Sequence, residues 1–460
     1  MIISRIGRFL LACITLLSFA AAARPGDAPW KVGIAAVKIT PQKHIPLAGY
    51  AGRNRPFQSV EQDIYAKAML VEDGSGSRAI LITLDLVGIR PPVAEPVCQR
   101  ITEKTGLQRH QILLNCSHTH SAPLLHYPDD PNAPKLPTTP DTAEYTRWLE
   151  DQLVDLAIRA ASNVRPANIS WGVGVAPFVM NRREYSERGV LNAPNPRGPV
   201  DRAVPVLRVE DPADHKLIAI LFGAACHNTT LTGNNLRLCG DYAGFAEHDL
   251  EAQFAGVQAM FMQGFGGDAN PYPRGTLPLA KQHGQTLADE VARVLKDGKK
   301  LKPVAGPLKT VMDYVDLPLR QVPREELETL VKTEPSWIQF GAKTRLALLD
   351  RGETLPASYH APIAVWQFGE DLTLVAVSGE VVNDYVRLVE SAIGPLRLWP
   401  AGYCNDVFGY LPSARVVREG GYENRGLNTG KGWFTPDAQD LVVNKVKDLA
   451  RQAGRQLPDR

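Results

Sequence analysis

Six short apolar segments limit the possible folds of this 460-residue sequence more than any other feature. Their apolar residues run continuously, without the alternation of a half-exposed strand, which is typical of strands buried on both faces. We therefore predict six buried strands: Ala79–Leu86, Gln111–Cys116, Leu217–Ala225, Val257–Met262, Leu372–Val377 and Leu396–Pro400.

Amphipathic segments with a period near 3.6 residues lie between these strands and predict helices. A further helix is predicted from the Thr435-Pro436-Asp437 start signal to about Ala453. The other predicted helices are Thr142–Val164, Phe245–Phe254, Leu279–Leu295 and Val381–Ala392. Alternating strands and helices indicate the α/β class, with a layered mixed sheet and flanking helices.

Two further segments complete the expected organisation. The polar, Gly/Asn/Pro-rich segment Arg182–Arg202 predicts a long surface loop, and alternation within Pro303–Pro323 predicts antiparallel strands. No linker separates two folding units, so we expect a single domain over residues 24–460.

The first 23 residues resemble a secretory signal peptide. Arg5 and Arg8 precede an apolar stretch that ends in Ala20-Ala21-Ala22-Ala23, a small-residue cleavage site. The alternative is an uncleaved anchor helix, but the stretch is short for a span of about 20 residues. We expect an exported protein, periplasmic or secreted, with no transmembrane span in the mature chain.

Cleavage at this point determines the charge and cysteine content of the mature chain. It leaves 49 basic and 49 acidic residues, which gives no indication of nucleic-acid binding. It also leaves five cysteines, an odd number, so at least one thiol is free and a Cys226–Cys239 bridge is one open possibility.

The unusual polar residues of the sequence directly follow predicted strands. His118 and His120 follow the second strand, His227 follows the third and Glu380 follows the fifth. Loops after the carboxyl ends of strands line the ligand crevice of α/β sheets. We therefore expect these side chains to form a metal site at the C-terminal ends of the strands.

The residue types in these loops favour a zinc-type cation. On an extended backbone His118 and His120 share a face, and paired imidazoles suit Zn²⁺. A carboxylate such as Glu380 is costly to bury without a partner, and a cation supplies one. The alternative for each histidine is a structural hydrogen bond to a backbone carbonyl.

These motifs, in this order, resemble the catalytic N-terminal domain of the neutral/alkaline non-lysosomal ceramidases, which are zinc amidases. The resemblance extends from about Val32 to about Tyr422. It rests on Ser117-His118-Thr119-His120-Ser121, Asn181-Arg182, His227, Gly267-Asp268-Ala269-Asn270-Pro271, Gly379-Glu380, and the segment from Asn405 through Tyr410 to Tyr422-Glu423.

The resemblance implies roles that spacing alone does not give. It implies a zinc ion held by four ligands and three residues that handle the scissile amide. The implied ligands are His118, His227, Glu380 and Tyr410, and the implied amide-handling residues are His120, Arg182 and Tyr422. Asp241 and Asp268 are further candidates, for hydrogen bonds to the ligand histidines, although each is equally a turn-capping Asp beside Gly.

The sequence departs from the family in two ways. Asn270 replaces the serine of the family's Gly-Asp-Val-Ser-Pro stretch, and an amide cannot act as a nucleophile, although it can donate a hydrogen bond to an oxyanion. Characterised ceramidases also continue into a C-terminal β-sandwich domain, and we do not expect that domain within this sequence, whose resemblance to the family lies in the N-terminal domain. Both departures leave the substrate open.

We therefore expect an exported hydrolase that attacks amide bonds of an N-acyl, lipid-like or small-molecule substrate with a zinc-activated water. One alternative is an esterase, lactonase or carbohydrate-directed enzyme on the same site. Another is a non-catalytic protein with a closed structural zinc site. The sequence leaves the oligomeric state undetermined.

Overall fold

The structure is a computed structural model that describes residues 30–53, 55–127, 139–298, 301–334, 336–424 and 432–458. The predicted signal peptide, residues 1–23, lies outside these ranges. No helix in the described ranges combines the length and the apolar composition that a bilayer span requires. The cysteines Cys98, Cys116, Cys226, Cys239 and Cys404 are all free and buried, so the possible Cys226–Cys239 bridge is not formed.

Nine of the strands form one large mixed sheet. Its order is β12-β10-β9-β6-β1-β3-β4-β5, with β14 paired to β6. The pairs β4–β5 and β10–β12 are parallel and the other pairs are antiparallel. The strands of this sheet are β1 (Trp30–Lys38), β3 (Tyr65–Asp73), β4 (Arg78–Leu84), β5 (Ile112–Cys116), β6 (Val164–Val175), β9 (Ala203–Glu210), β10 (Leu217–Ala224), β12 (Gln258–Gln263) and β14 (Lys302–Pro303).

A second sheet of four strands has the order β15-β16-β17-β19, in which only β17–β19 is parallel. It consists of β15 (Leu308–Pro318), β16 (Ser358–Phe368), β17 (Leu372–Val377) and β19 (Leu398–Ala401). The remaining strands form small sheets of two or three strands, with the orders β11-β2, β13-β7-β8 and β18-β20. They are β2 (Ser59–Val60), β7 (Val179–Ser186), β8 (Gly189–Asn195), β11 (Arg237–Leu238), β13 (Ala269–Pro271), β18 (Glu380–Val381) and β20 (Tyr410–Leu411).

The described ranges also contain α-helices. They are α1 (Pro91–Thr105), α2 (Pro140–Ser162), α3 (Asp241–Gln253), α4 (Leu277–Lys296), α5 (Arg324–Thr333), α6 (Ser336–Asp350), α7 (Asp384–Ile393), α8 (Ala414–Glu419) and α9 (Ala438–Gln452). Pro140 and Pro278 lie in the first turns of α2 and α4, where the missing N–H costs nothing, and Thr139 and Thr276 cap these helices.

The two large sheets face each other across a shared apolar core. Trp30, Leu81 and Met260 of the nine-stranded sheet belong to the same buried cluster as Trp366 and Trp399 of the four-stranded sheet. Helices α1 to α4 cover the other face of the nine-stranded sheet, and α7 and α9 cover the other face of the smaller one. The architecture is therefore a four-layer helix–sheet–sheet–helix sandwich.

The predicted α/β class with a mixed sheet and flanking helices is confirmed, and each of the six predicted strands overlaps an observed one. The prediction of antiparallel pairing in Pro303–Pro323 holds as a single strand, β15, which pairs along its length with β16. The predicted loop Arg182–Arg202 is wrong. It contains most of a hairpin, β7–β8, that is held by polar side chains such as Asn195, which bonds the backbone of Arg183. A hairpin held by polar side chains has no apolar periodicity, so a search for apolar patterns does not detect it.

One buried side chain explains why loops from distant strands converge. Asn115, near the end of β5, donates to the carbonyls of Gln263 at 3.3 Å and Gly402 at 2.7 Å, and accepts from the Gln263 N–H at 2.9 Å. It therefore joins the carboxyl ends of β5, β12 and β19. Edge strands of the nine-stranded sheet and one strand of the second sheet thus deliver their following loops to one place.

Candidate metal and active site

Four side chains predicted to hold a metal lie together at these strand ends. The Glu380 Oε2 atom is 3.2 Å from His118 Nε2 and 3.1 Å from His227 Nε2. The Tyr410 hydroxyl lies 3.4 Å from His227 Nε2. Glu380 and Tyr410 are neighbours because β18 and β20 pair in parallel with these two residues in register.

The backbone fixes the orientation of both histidines. The His118 Nδ1–H donates to the carbonyl of Val87, and the His227 Nδ1–H donates to the carbonyl of Gly266 at 2.8 Å. Each Nε2 then presents a lone pair to the Glu380 carboxylate. This is the tautomer that metal-ligating histidines adopt when their other nitrogen is bonded.

The electrostatics of the cluster suit a cation. Burial lowers the pKa of His227 to about 3, so its ring is neutral at pH 7. Two imidazole lone pairs and a carboxylate oxygen then face one another across little more than 3 Å, an arrangement that a positive ion at the centre stabilises. Two imidazoles, a carboxylate and a phenol hydroxyl form a donor set that fits Zn²⁺.

His120 belongs to the same buried cluster. The ligand nitrogens of His118, His120 and His227 all lie within 4.8 Å of one another, and the Nε2 atoms of His118 and His120 are 3.1 Å apart. Geometry alone therefore does not separate His120 from the ligands; only the family resemblance assigns it to the substrate. Burial holds the pKa of His120 well below its ordinary value.

The local backbone differs from the extended one assumed for the His-Thr-His pair. His118 adopts a left-handed conformation with φ of 62°, a costly one for a residue other than glycine. Gly49 lies against the other ring, where a Cβ would come 2.4 Å from His120 Cγ. The two rings therefore meet through backbone strain and the absence of a side chain at position 49.

Arg182 lies beside the predicted metal ligands, and its positive charge is paired with a carboxylate of the protein. Its Nη2 donates to the Tyr410 hydroxyl at 2.9 Å, and its Nε donates to Glu423 Oε1 at 2.9 Å. Arg183 donates to the other oxygen of Glu423 at 2.7 Å. Arg182, Arg183 and Glu423 form what we call the Glu423 cluster. The guanidinium carbon of Arg182 is also 5.5 Å from the ring centroid of Tyr422, which brings that predicted residue to the site.

Asn270 is held with its amide in one orientation. Its Oδ1 accepts from Arg182 Nη1 at 3.2 Å and from the Thr229 hydroxyl at 3.1 Å. Because a guanidinium can only donate, the oxygen must face Arg182. The Nδ2 group has no hydrogen-bond partner among the described residues, and it remains able to donate.

Asp241 and Asp268 do not bond the ligand histidines as predicted, because backbone carbonyls already occupy both Nδ1 atoms. Asp241 accepts instead from the backbone N–H of Leu231 at 2.9 Å, and Asp268 from that of Asn383 at 2.7 Å. Burial raises the pKa of Asp268 to about 6. Both carboxylates organise loops around the site.

Sequence reasoning missed several residues of this region: Gly49, Tyr50, Arg53, Thr229 and Arg274. Thr229 follows His227 by two residues, and that proximity was a usable signal. Arg274 follows the Gly267–Pro271 motif by three residues, which was a weaker signal of the same kind. Gly49, Tyr50 and Arg53 come from a segment with neither an apolar run nor a motif, so nothing in the sequence connected them to the histidines.

Comparison with known proteins finds relatives among the neutral ceramidases. Curated neutral ceramidases from Drosophila pseudoobscura pseudoobscura and Drosophila melanogaster are each 25% identical to the chain, over 258 and 242 residues. These regions are 53% and 50% of this chain but only 35% and 33% of the relatives, so the match covers about a third of their length.

Two solved structures share the fold. A neutral ceramidase from Pseudomonas aeruginosa superposes with a TM-score of 0.68 at 19% identity, over 94% of this chain and 77% of that one. A ceramidase complexed with C2 gives a TM-score of 0.71 at 19% identity, over 94% and 78%. The family model for the N-terminal region of neutral/alkaline non-lysosomal ceramidase matches residues 30–277, more than half of the sequence. The chain therefore belongs to the neutral/alkaline non-lysosomal ceramidase family.

Proposed function

We propose that the protein is a zinc-dependent hydrolase of amide bonds that acts on N-acyl substrates. One observation carries the proposal: His118 and His227 are fixed by backbone carbonyls so that both Nε2 lone pairs face the Glu380 carboxylate. Family membership supports amide hydrolysis as the reaction. His118, His227, Glu380 and Tyr410 would hold the ion.

The ion supplies one element of the chemistry. A zinc ion in such a site lowers the pKa of a water molecule to about 7, which makes hydroxide available at neutral pH. The remaining work belongs to residues of the chain. Tyr422 and the Asn270 amide are hydrogen-bond donors for the oxyanion, and each well-placed donor contributes roughly 3–4 kcal/mol.

Proton transfer to the departing amine falls to His120. Its Nε2 lies 3.1 Å from His118 Nε2, at the inner edge of the cluster, and its ring is buried and neutral. A neutral imidazole can take a proton from the attacking water and pass it to the leaving nitrogen. Arg182 keeps Asn270 and Tyr410 in place through its own hydrogen bonds.

Asn270 decides between two versions of the reaction. A serine at this position could form a covalent acyl intermediate, whereas an amide nitrogen with no basic lone pair cannot. Thr229 and Arg182 occupy the Asn270 oxygen, so the Nδ2–H donors remain for the substrate. We therefore propose direct attack by water and no acyl-enzyme.

Metal content tests the ligand set. Purified protein should contain about one zinc per chain, and His118→Ala and Glu380→Ala should each lose it, because each variant removes a buried donor from the proposed ligand set. His248→Ala is the matched control, since His248 is exposed on α3, and it should keep the metal. Full zinc in both site variants would show that the ligand set is wrong.

A substrate panel tests the reaction. N-acyl amides, esters and glycans with the zinc-loaded protein should give release of fatty acid from amides, read by mass spectrometry. Asn270→Ser should raise ceramide hydrolysis if the serine sets the family's substrate. No turnover of any substrate would favour a non-catalytic zinc protein, and turnover of esters alone would favour an esterase.

We also propose that the protein is exported by cleavage of residues 1–23. The basic start and the alanine run support the proposal. Expression of the full sequence with its native leader should give a protein whose first residue follows Ala23, as read by N-terminal sequencing. An intact Met1 on the purified protein would contradict export by this route.

A further inference from the structure

Next to His120 lies a second arginine-rich cluster, whose charges have no acidic partner in the part of the chain that the structure describes. The Tyr50 ring packs edge-on against the His120 ring, with centroids 4.7 Å apart. The guanidinium carbon of Arg53 is 5.1 Å from the Tyr50 ring centroid, and Arg274 Nη2 donates to the Tyr50 hydroxyl at 2.9 Å. We call Tyr50, Arg53 and Arg274 the Tyr50 cluster.

Arg53 is buried without an acidic partner. It is 6% exposed, and its acceptors among the described residues are the backbone carbonyls of Ala48, His120 and Asn235. No carboxylate in the described ranges lies within ion-pair distance of it, and burial lowers its pKa to about 10. Its Nε–H is enclosed and has no partner in the described part of the chain. A buried charge in this state is costly unless an anion joins it.

Arg274 offers the accessible part of the cluster. Its side chain is half-buried. Among the residues that the structure describes, its one hydrogen-bond acceptor is the Tyr50 hydroxyl. Its Nε is enclosed, whereas its Nη1 is neither enclosed nor bonded within that part of the chain. Tyr50 is fixed from the other side, because its hydroxyl donates to the carbonyl of Leu231 at 2.9 Å.

The nearest acidic group does not neutralise this cluster. Burial raises the pKa of the Tyr50 hydroxyl, and the negative charge of the nearby Asp241 carboxylate raises it further. That carboxylate accepts hydrogen bonds from backbone N–H groups, including that of Leu231, and it forms no ion pair with Arg53 or Arg274. The guanidinium groups of Arg53 and Arg274 therefore remain without an ion-pair partner among the described residues.

We propose that the Tyr50 cluster is an anion subsite, and that the substrate is an amide whose amine portion carries a carboxylate, as in an N-acyl amino acid. The inference rests on the proposed function, in which His120 delivers a proton to the departing amine. A group attached to that amine lies on the His120 side of the scissile bond, next to Tyr50. The planar guanidinium fork of Arg274 matches a carboxylate in shape and charge.

The test compares substrates that differ only at the amine. N-octanoylglycine and N-octanoylethanolamine share one acyl chain, and the first carries a carboxylate where the second carries a hydroxyl. The expected kcat/KM for the glycine amide is at least about tenfold higher, mainly through KM, because the carboxylate is bound in both ground and transition states. Equal values for the two substrates would overturn the subsite and leave amide hydrolysis intact.

Variants assign the preference to one side chain. Arg274→Met should remove the tenfold preference and raise KM for N-octanoylglycine alone, and Arg274→Lys should restore part of it. Arg237→Met is the matched control, because Arg237 is exposed and pairs loosely with Glu61 at 3.8 Å. A preference that survives Arg274→Met unchanged would contradict the assignment.

Binding separates this proposal from the proposed function. Calorimetry of the purified protein with N-octanoylglycine should show binding about tenfold tighter than with the ethanolamine amide, and Arg274→Met should abolish the difference. If binding follows this pattern and no amide is hydrolysed, the subsite stands and the proposed reaction fails. If N-octanoylglycine and N-octanoylethanolamine bind with equal affinity, the subsite is refuted.

Discussion

Two buried guanidinium groups share one carboxylate in the Glu423 cluster, whereas in the Tyr50 cluster two guanidinium groups have none among the described residues. Both clusters touch the candidate metal site, one through Tyr410 and the other through His120. A matched charge has its donors committed to fixed partners, so it holds geometry. An unmatched charge keeps its attraction for a ligand.

This difference changes the role expected of Arg182. The family resemblance implied that Arg182 handles the scissile amide, but Arg182 donates four hydrogen bonds to the protein, including the one to Glu423. It is better described as the residue that keeps Asn270 and Tyr410 in position. Arg274, which follows the Gly267–Pro271 motif by three residues, is the stronger candidate for contact with an anion.

The largest expected effect comes from removing the shared carboxylate. Glu423→Gln leaves Arg182 buried without its counter-charge and leaves Arg183 with only the part-exposed Glu419, and breaking a buried ion pair on one side costs about 3–5 kcal/mol of unfolding free energy. Urea unfolding followed by circular dichroism measures the loss. Arg274→Met should change the unfolding free energy by about 1 kcal/mol or less, because it removes one hydrogen bond and breaks no ion pair.

A matched control lies in the same salt-bridge system. Glu419 also pairs with Arg183, at 3.1 Å, but its side chain is 25% exposed. Glu419→Gln should therefore cost about 1 kcal/mol or less. Similar losses for Glu419→Gln and Glu423→Gln would show that the Glu423 cluster is not held by its buried carboxylate, and the contrast with the Tyr50 cluster would fail.

The fold was predictable where burial dominates the sequence pattern. Strands such as β10 and β17 consist of continuous apolar residues, and the structure places them within one or two residues of the prediction. The packing of one sheet against another was not predictable, because a strand buried under a helix and a strand buried under a sheet have the same apolar composition. The sequence did not predict the β7–β8 hairpin, because ion pairs of Arg183 hold it and its strands lack the apolar residues on which the strand predictions rest.

The candidate site was predictable where motifs follow strands, and less so elsewhere. His118, His227 and Glu380 are brought together as the strand-end argument required. The reason lies partly in Asn115, whose side chain joins three strand ends, and one asparagine in a strand gives no such signal in sequence. Charge matching is also invisible in sequence, since it depends on which arginine meets Glu423.

An intermediate effect is expected at Thr229. Together with Arg182 of the Glu423 cluster, Thr229 fixes the orientation of the Asn270 amide, which is proposed to contact the substrate. Thr229→Val removes one of two donors to the Asn270 oxygen and leaves that amide free to turn. We expect kcat to fall about tenfold, the equivalent of one hydrogen bond of roughly 1.4 kcal/mol, with little change in KM. Thr229→Ser keeps the hydroxyl and should keep kcat.

The double variant shows whether Thr229 acts through Asn270. Asn270→Ala removes the amide, so adding Thr229→Val should lower kcat no further. Losses that multiply in the double variant would mean that Thr229 contributes by a separate route. Thermal unfolding of each variant separates loss of orientation from loss of folded protein.

The smallest expected effect is the response to salt, and it addresses the unmatched charges directly. The Debye length shortens from about 30 Å at 0.01 M to about 8 Å at 0.15 M ionic strength, which screens an accessible guanidinium far more than a buried, paired one. The KM for N-octanoylglycine should rise about threefold over this range, while the KM for N-octanoylethanolamine stays constant. Arg274→Met should flatten the first response, because its guanidinium group is the accessible charge of the Tyr50 cluster. A rise of the same size for the neutral amide would assign the salt effect to the protein as a whole and remove the distinction between the two clusters.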